Sequence, residues 1–235
     1  MSEIMLSTTI GHLVAENPNR ARVFERYGID YCCGGKRSLG DVCASKTVDA
    51  AAIIRELQES EDAAAPGADW MNVSLVDLTH HIEAAHHAYL KEELPRLSGL
   101  VQKVARVHGD NHPEMVEVAT IFESFRADME MHMRKEEMIL FPMIRQLETT
   151  GIRGESHCGS INNPIHVMEA EHDAAGRALE QFRTLTHDFT PPADGCNTFR
   201  VTLDGLQRLE ADTHEHVHKE NNILFPRAAA MERAL

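Results

Sequence analysis

An eleven-residue stretch that occurs twice does most to limit what this chain can fold into. It reads HMRKEEMILFP from residue 132 and HVHKENNILFP from residue 216, so the two copies lie 84 residues apart (216 − 132 = 84). A looser match relates the segment around His87 to the segment around His172. These matches predict a duplicated helical hairpin, because repeats of this kind are supersecondary units that pack on one another.

Four long helices are predicted after the first 70 residues, from apolar periodicity and from their start and stop signals. They run from Ser74 to about Gly109, from Pro113 to about Leu147, from Asn163 to about His187, and from about Asn197 to Phe225. Short connections between such helices favour an antiparallel up-down bundle. The predicted fold class is therefore all-α, a four-helix bundle preceded by a small helical N-terminal domain.

The stretch ESEDAAAPGAD is small, acidic and interrupted by Pro66-Gly67, which is typical of a linker. We therefore divide the chain into an N-terminal domain (1–60), a linker (61–70) and the bundle (71–235). The composition of the linker suggests that few contacts cross it. Within the N-terminal domain, Asn17-Pro18 predicts a helix start, Gly28 a stop, and Thr47 the cap of a last helix.

Six polar residues fall on the helix faces that should point into the bundle core. Each repeat supplies one His and, about 45 residues later, a His-x-x-x-Glu pair. The set is His87, His132, Glu136, His172, His216 and Glu220. A single His-x-x-x-Glu pair is usually solvent-exposed, but six such groups buried without partners would cost several kcal/mol per charge. A metal pair in the bundle core satisfies all of them.

Two metals share this set evenly, with two imidazoles each and both carboxylates bridging. An added oxo or hydroxo bridge gives each metal five ligands and leaves one octahedral position open for a small ligand. Ligation by nitrogen and oxygen without thiolate suits iron, and also manganese or zinc. Ferritin-like di-iron bundles use Glu-x-x-His instead, so the order here indicates another class.

Other histidines lie near these positions. We expect the off-stripe residues His81, His86, His214 and His218 to be exposed. His80 and Glu83 lie on the ligand stripe before His87, either as a second shell or channel around the metals or as ordinary surface residues.

Vicinal Cys32-Cys33, in YGIDYCCGGKRSL, is the other unusual feature. Lys36 and Arg37 are expected to lower the thiol pKa values, which makes the pair a candidate reactive thiol or iron-transfer site. The alternative is a buried structural pair beside the Gly34-Gly35 turn. The other three of the five cysteines give no such signal, and an odd count argues against a disulfide framework.

Charge and hydropathy limit the partners. The net charge of −14 argues against nucleic acid and suits metal cations or basic partners. The N-terminus lacks the basic start and apolar segment of a signal peptide, and no apolar run approaches the roughly 20 residues of a membrane span. We expect a cytoplasmic protein with no membrane contact, as a monomer or homodimer.

Four motifs together resemble the repair-of-iron-centres family of the YtfE/ScdA type. They are YGIDYCCGGKRSL, HMRKEEMILFPMI, VMEAEHDAAG and HVHKENNILFPRA, and the resemblance covers nearly the whole chain. It implies a hemerythrin-like bundle behind an ScdA-type N-terminal domain. The family's ligand positions fall on the same six residues, and Cys32 and Cys33 match its paired cysteines.

The resemblance implies a di-iron protein with two non-haem irons that helps to restore iron–sulfur clusters damaged by nitric oxide or peroxide. Its partners would be the damaged iron–sulfur proteins, and an iron-donating factor is favoured over a turnover catalyst. The alternative is a di-iron enzyme or sensor that binds or reduces nitric oxide or oxygen, since both functions need an open metal position. Oxygen-carrying hemerythrins have a fifth His ligand, whereas the repeat supplies four.

Overall fold

The computed structural model describes residues 4–62, 69–152 and 159–235, and nearly all of their regular structure is helical. The N-terminal region has four helices: α1 (Ile10–Glu16), α2 (Ala21–Arg26, after a 3₁₀ turn at Pro18–Arg20), α3 (Leu39–Lys46) and α4 (Ala50–Asp62). The predicted linker around Pro66-Gly67 lies outside the described residues, as does Cys158.

Four long helices follow, three of them interrupted by one π-helical turn. They are α5 (Leu75–Ile82, π turn Glu83–His87, Ala88–His108), α6 (Glu114–Lys135, π turn Glu136–Leu140, Phe141–Thr150), α7 (Asn162–Leu185) and α8 (Asn197–Lys219, π turn Glu220–Leu224, Phe225–Arg233). Each packs on two neighbours, so the four close into a ring. The all-α fold with a helical N-terminal region and a helical bundle is as predicted.

The proline that closes each repeat does not end its helix. Pro142 and Pro226 each stand near the start of a helical segment that directly follows a π turn. Proline normally breaks a helix because it lacks an N–H and its ring meets the carbonyl four residues earlier. The wider π turn shifts the hydrogen-bond ladder at that point and accommodates both effects. The prediction that the fourth helix ends at Phe225 was therefore wrong, since α8 continues to Arg233.

Helix starts in the structure follow the capping chemistry of the sequence. The Ser74 side chain accepts a hydrogen bond from the Asp77 amide at the start of α5, as predicted. Thr47 does not cap α4: it adopts a left-handed conformation (φ 56°) and ends α3 instead. Asp49 takes the capping role, because its carboxylate accepts a hydrogen bond from the Ala51 amide at 3.0 Å.

The N-terminal region packs directly on the bundle, contrary to the expectation that few contacts cross between them. The Asn222 side chain, in the π turn of α8, lies between Gly11 and Gly35, and a Cβ at either glycine would fall within 2.3 Å of it. Asn222 also donates a hydrogen bond to the Cys32 carbonyl at 3.0 Å. Val217 of α8 belongs to the apolar cluster of the N-terminal region. The composition of a linker does not determine whether the domains that it joins have complementary surfaces. Here the N-terminal region and the bundle do.

Among the residues that the structure describes, no helix combines the length and the apolar character needed to cross a membrane.

Candidate metal centre

The structure brings all six predicted ligand residues together at one level of the bundle. They form two overlapping sets that share both carboxylates, and within each set the ligand atoms lie within 4.8 Å of one another. One set is His87, His216, Glu136 and Glu220, and the other is His132, His172, Glu136 and Glu220. Every one of these side chains is buried, with at most 2% of its surface exposed.

Glu136 places one carboxylate oxygen at each set. Its Oε2 lies 3.3 Å from Nε2 of His87, and its Oε1 lies 3.3 Å from Nε2 of His132. His132 reaches it from one helical turn before on α6, while His87 comes from the π turn of α5.

Glu220 repeats this arrangement from α8. Its Oε1 lies 3.2 Å from Nε2 of His216, and its Oε2 lies 3.1 Å from Nε2 of His172. Each carboxylate therefore straddles the two sets, with one oxygen for each. Glu136 and Glu220 both open a π turn, a feature that often marks functional sites within α-helices.

Four of the donor atoms facing the centre lack a hydrogen-bond partner among the described residues, whereas Nε2 of His216 lies within hydrogen-bond distance of Oε1 of Glu220, at 3.2 Å. Nε2 of His87, both oxygens of Glu136 and Oε2 of Glu220 are buried without a hydrogen bond of good geometry. Nε2 of His132 and Nε2 of His172 face each other at 3.0 Å. Burying such groups unsatisfied is costly, so this donor set fits cations held between the imidazoles and carboxylates.

Three of the four imidazoles are oriented by a hydrogen bond at Nδ1, the ring nitrogen that does not face the centre. Nδ1 of His87 lies 2.9 Å from Oε1 of Glu137, and Nδ1 of His172 lies 2.8 Å from Oδ1 of Asn221. Nδ1 of His132 lies 3.0 Å from Oε2 of Glu171. Such hydrogen bonds fix the tautomer that presents Nε2 to a metal.

Sequence reasoning missed these orienting residues, although the repeat carries a signal for two of them. Glu137 and Asn221 each directly follow the shared carboxylate of their repeat and so occupy equivalent positions. Glu171 directly precedes His172 but contacts His132 across the helix pair. In the part of the chain that the structure describes, no group hydrogen-bonds to the buried Nδ1 of the fourth imidazole, His216.

The charges of the centre compensate one another. Burial on its own raises the pKa of Glu220, but the neighbouring His216 and His172 imidazoles outweigh it and hold the pKa well below its ordinary value. Burial likewise lowers the pKa of His132, yet the carboxylate of Glu136 raises it to about 10. The pKa values of Glu136 and Glu220 are both lowered, so both carboxylates are ionised, the form in which carboxylates bind metals.

Two histidines predicted to be exposed are buried. His86 is 3% exposed, because Lys219 and Asp212 bind its two ring nitrogens at 2.8 and 2.9 Å and its ring stacks on His216. His218 is 5% exposed, because the N-terminal region covers it with Tyr31, whose ring centroid lies 5.4 Å away. Helical periodicity identified the face toward the bundle axis but not the faces covered by other segments. His81 and His214 are half-buried.

His80 and Glu83 make no contact with the centre. His80 is exposed, and Glu83 forms an ion pair with Arg145 at 2.7 Å. The side chains of Glu83 and Arg145 are 27% and 25% exposed, so Glu83 is half-buried and only His80 has the exposure of an ordinary surface residue.

Cys32 and Cys33 lie at the boundary between the N-terminal region and the bundle. Sγ of Cys33 lies 3.5 Å from the backbone carbonyl of His172, and the two sulfurs are 3.8 Å apart. Both line a cavity of about 210 Å³ that Asn221 and Asp173 also line. The cysteine pair is thus next to the candidate metal centre, not remote from it.

The expected activation of these thiols by neighbouring bases was wrong for Cys32. The adjacent Cys33 thiol and burial raise the pKa of Cys32 well above its ordinary value. Lys36 instead forms an ion pair with Glu169 at 2.7 Å, and Arg37 hydrogen-bonds to Ser45 at 2.8 Å. Both basic groups are therefore engaged by other side chains, although Lys36 lines the same cavity as the two sulfurs.

Comparison with known proteins gives the same two parts. Residues 78–228 match the model of the hemerythrin HHE cation-binding domain, and residues 6–61 match ScdA_N, a domain of unknown function (DUF542). The chain is 39% identical over 223 residues to the iron-sulfur cluster repair protein YtfE of Enterobacter sp. (strain 638), covering 95% of this chain and 97% of the relative. The relatives of that name in Citrobacter koseri and Escherichia coli O157:H7 are 37% and 36% identical, with the same coverage.

Proposed function

Because the chain belongs to the family of hemerythrin-like iron–sulfur cluster repair proteins, we propose that it holds two non-haem irons in the bundle and supplies iron to damaged clusters. The observation that carries this proposal is the position of Glu136 and Glu220, each with one carboxylate oxygen at each pair of imidazoles. Two imidazoles and two shared carboxylates per position, without thiolate, are a donor set that suits iron.

All the protein ligands of the two irons would come from side chains of the bundle. His87 and His216 would bind one iron and His132 and His172 the other, with both carboxylates shared. An oxo or hydroxo bridge completes the ligand count in this proposal. When bound, the irons supply the cations that an incomplete cluster needs.

Cys32 and Cys33 are proposed as the transfer site. With Asp30 they form a third group of ligand atoms that lie within 4.8 Å of one another. Asn221 lines the cavity at these thiols and also orients His172, so the cavity connects the two sites through one residue. Two cysteine sulfurs about 3.8 Å apart can hold one cation between them when the cation displaces their protons.

We propose that residues 71–235 form the metal-binding unit and residues 1–60 a domain docked on it. The clients would be damaged iron–sulfur proteins in the cytoplasm. Nitric oxide or oxygen would be the small ligand at the open metal position.

The experiment is a transfer of labelled iron. The protein is loaded with an iron isotope, mixed with an apo iron–sulfur dehydratase and sulfide, and the rebuilt cluster is analysed for the label. Label in the cluster, together with recovered dehydratase activity, is the expected result. The control is the double variant Glu136→Ala with Glu220→Ala, which should bind little iron and transfer none.

Two outcomes would contradict donation. In the first, the cluster is rebuilt without label. In the second, the protein turns over nitric oxide rapidly while keeping all its iron, which would favour the enzyme alternative.

A further inference from the structure

A cysteine–histidine pair lies at the other end of the bundle, far from the candidate metal centre. Sγ of Cys196 is 3.3 Å from Nε2 of His108, and the cysteine is exposed. His108 ends α5, and Cys196 is the residue from which α8 begins. About 20 residues of helix separate this pair from His87 and His216, a distance of roughly 30 Å at 1.5 Å per residue.

The surroundings hold the imidazole against the sulfur. The buried ring of Phe199 packs edge-on against His108, with ring centroids 5.5 Å apart. The neighbouring His112 also contacts Phe199, but its two nitrogens bind the carboxylates of Glu114 and Asp194 at 2.9 and 3.1 Å. His112 is therefore already paired, whereas His108 faces the thiol.

We propose that Cys196 and His108 form a nucleophilic thiol site that reacts with low-molecular-weight disulfides. A cysteine at a helix N-terminus beside an imidazole is a known setting for a reactive thiolate. Exposure of the sulfur gives a small disulfide access to it. The pair lies outside the three groups of candidate metal ligands, so the site would add a second activity to the chain.

The reaction is a thiol–disulfide exchange. Cys196 passes its proton to His108, and the thiolate attacks one sulfur of the small disulfide. A new S–S bond forms to Cys196, the original S–S bond breaks, and the departing half leaves as a thiolate that takes up the proton. The Cys196 sulfur is oxidised to the disulfide level while the departing sulfur is reduced, so no further oxidant is required.

Acidity of the thiol agrees with this geometry. The backbone N–H of Phe199, followed by the His108 imidazole, lowers the pKa of Cys196 to about 7. By contrast, burial raises the pKa of Cys43, and the adjacent Cys33 thiol and burial raise the pKa of Cys32. Sequence reasoning found no signal at Cys196, because His108 is 88 residues away along the chain.

The test measures the reaction of the full-length protein with dithiodipyridine, an aromatic disulfide that releases a coloured product. At pH 7 the wild type should show a fast-reacting phase from Cys196, and Cys196→Ser should lose this phase while keeping its helical circular dichroism. His108→Asn should slow the fast phase about threefold or more and move its pH midpoint upward from about 7.

Matched controls come from the same end of the bundle and from the cysteine pair. His112→Asn makes the same substitution on the neighbouring imidazole and should leave the fast phase unchanged. Cys33→Ser should also leave it unchanged, and peptide mass analysis should place the adduct on Cys196. The proposal is overturned if Cys196→Ser keeps the fast phase, or if His108→Asn and His112→Asn react at the same rate.

Discussion

Nδ1 of His172 lies 2.8 Å from Oδ1 of Asn221, and this hydrogen bond is the counterpart of the one between His87 and Glu137 in the first repeat. In both repeats, the residue after the shared carboxylate orients the upstream histidine. The first repeat uses a carboxylate for this purpose and the second an amide. The two candidate iron positions are therefore chemically unequal, although their ligands are the same.

Removing either orienting group should weaken metal binding without removing a ligand. Glu137→Ala and Asn221→Ala should each reduce iron affinity by about 10- to 100-fold, because the freed imidazole loses its fixed tautomer and orientation. Competition with a chromogenic chelator measures this. Glu130→Ala is the control, since Glu130 is an exposed residue of α6 that pairs only with Arg126 among the contacts described. Equal affinities in all three variants would show that these hydrogen bonds do not support the site.

Docking of the N-terminal region should depend on the small size of Gly11. In Gly11→Ala the added Cβ would meet the Asn222 side chain at 2.1 Å, so we expect a loss of about 1–3 kcal/mol in the free energy of unfolding. Adding Asn222→Ala should recover part of this loss. Gly99→Ala is the control, because nothing lies within 4 Å of its Cβ position and alanine favours a helix.

Denaturant unfolding of the wild type, Gly11→Ala, Asn222→Ala, their double variant and the control Gly99→Ala gives the energies. If Gly11→Ala and Asn222→Ala destabilise additively, the two residues do not meet at the interface as described.

The repeat predicted the centre well because it fixed both the residue types and their helical faces. All six predicted ligand residues meet, although their role in binding metal is a proposal. The burial of His218 could not be predicted in the same way, since it results from Tyr31, which is 187 residues away (218 − 31 = 187) and belongs to another domain. The continuation of α8 past Pro226 was missed because periodicity alone does not reveal a π turn.

Replacing the cysteine pair should separate iron storage from iron delivery. The double substitution Cys32→Ser with Cys33→Ser should leave the iron content nearly unchanged, because neither sulfur belongs to the two histidine–glutamate sets. Recovery of a dehydratase damaged by nitric oxide should fall at equal iron loading. Cys43→Ser, a buried cysteine away from the cavity, is the control. Equal recovery with all three proteins would leave the pair without a role in transfer.

Acidification should lower the free energy of unfolding of the metal-free protein, because His218 is protonated more readily in the unfolded state. Burial lowers the pKa of His218 to about 4, below the value of about 6.5 of an unfolded chain. Between these values the unfolded state binds more protons, so stability present above pH 6.5 is lost as the pH falls toward 4. From pH 7 to pH 5 this group accounts for about 2 kcal/mol.

The comparison is between wild type and His218→Gln, both freed of metal, by denaturant unfolding at the two pH values. The variant should lose less stability on acidification than the wild type. Equal losses in the two proteins would mean that His218 is not held neutral at the interface.

Anomalous diffraction from crystals of the iron-loaded protein, recorded on both sides of the iron absorption edge, tests the metal centre most directly. We expect two peaks per chain, one between His87 and His216 and one between His132 and His172, with Glu136 and Glu220 reaching both. A single peak, or iron bound only at Cys32 and Cys33, would contradict the assignment of these six residues.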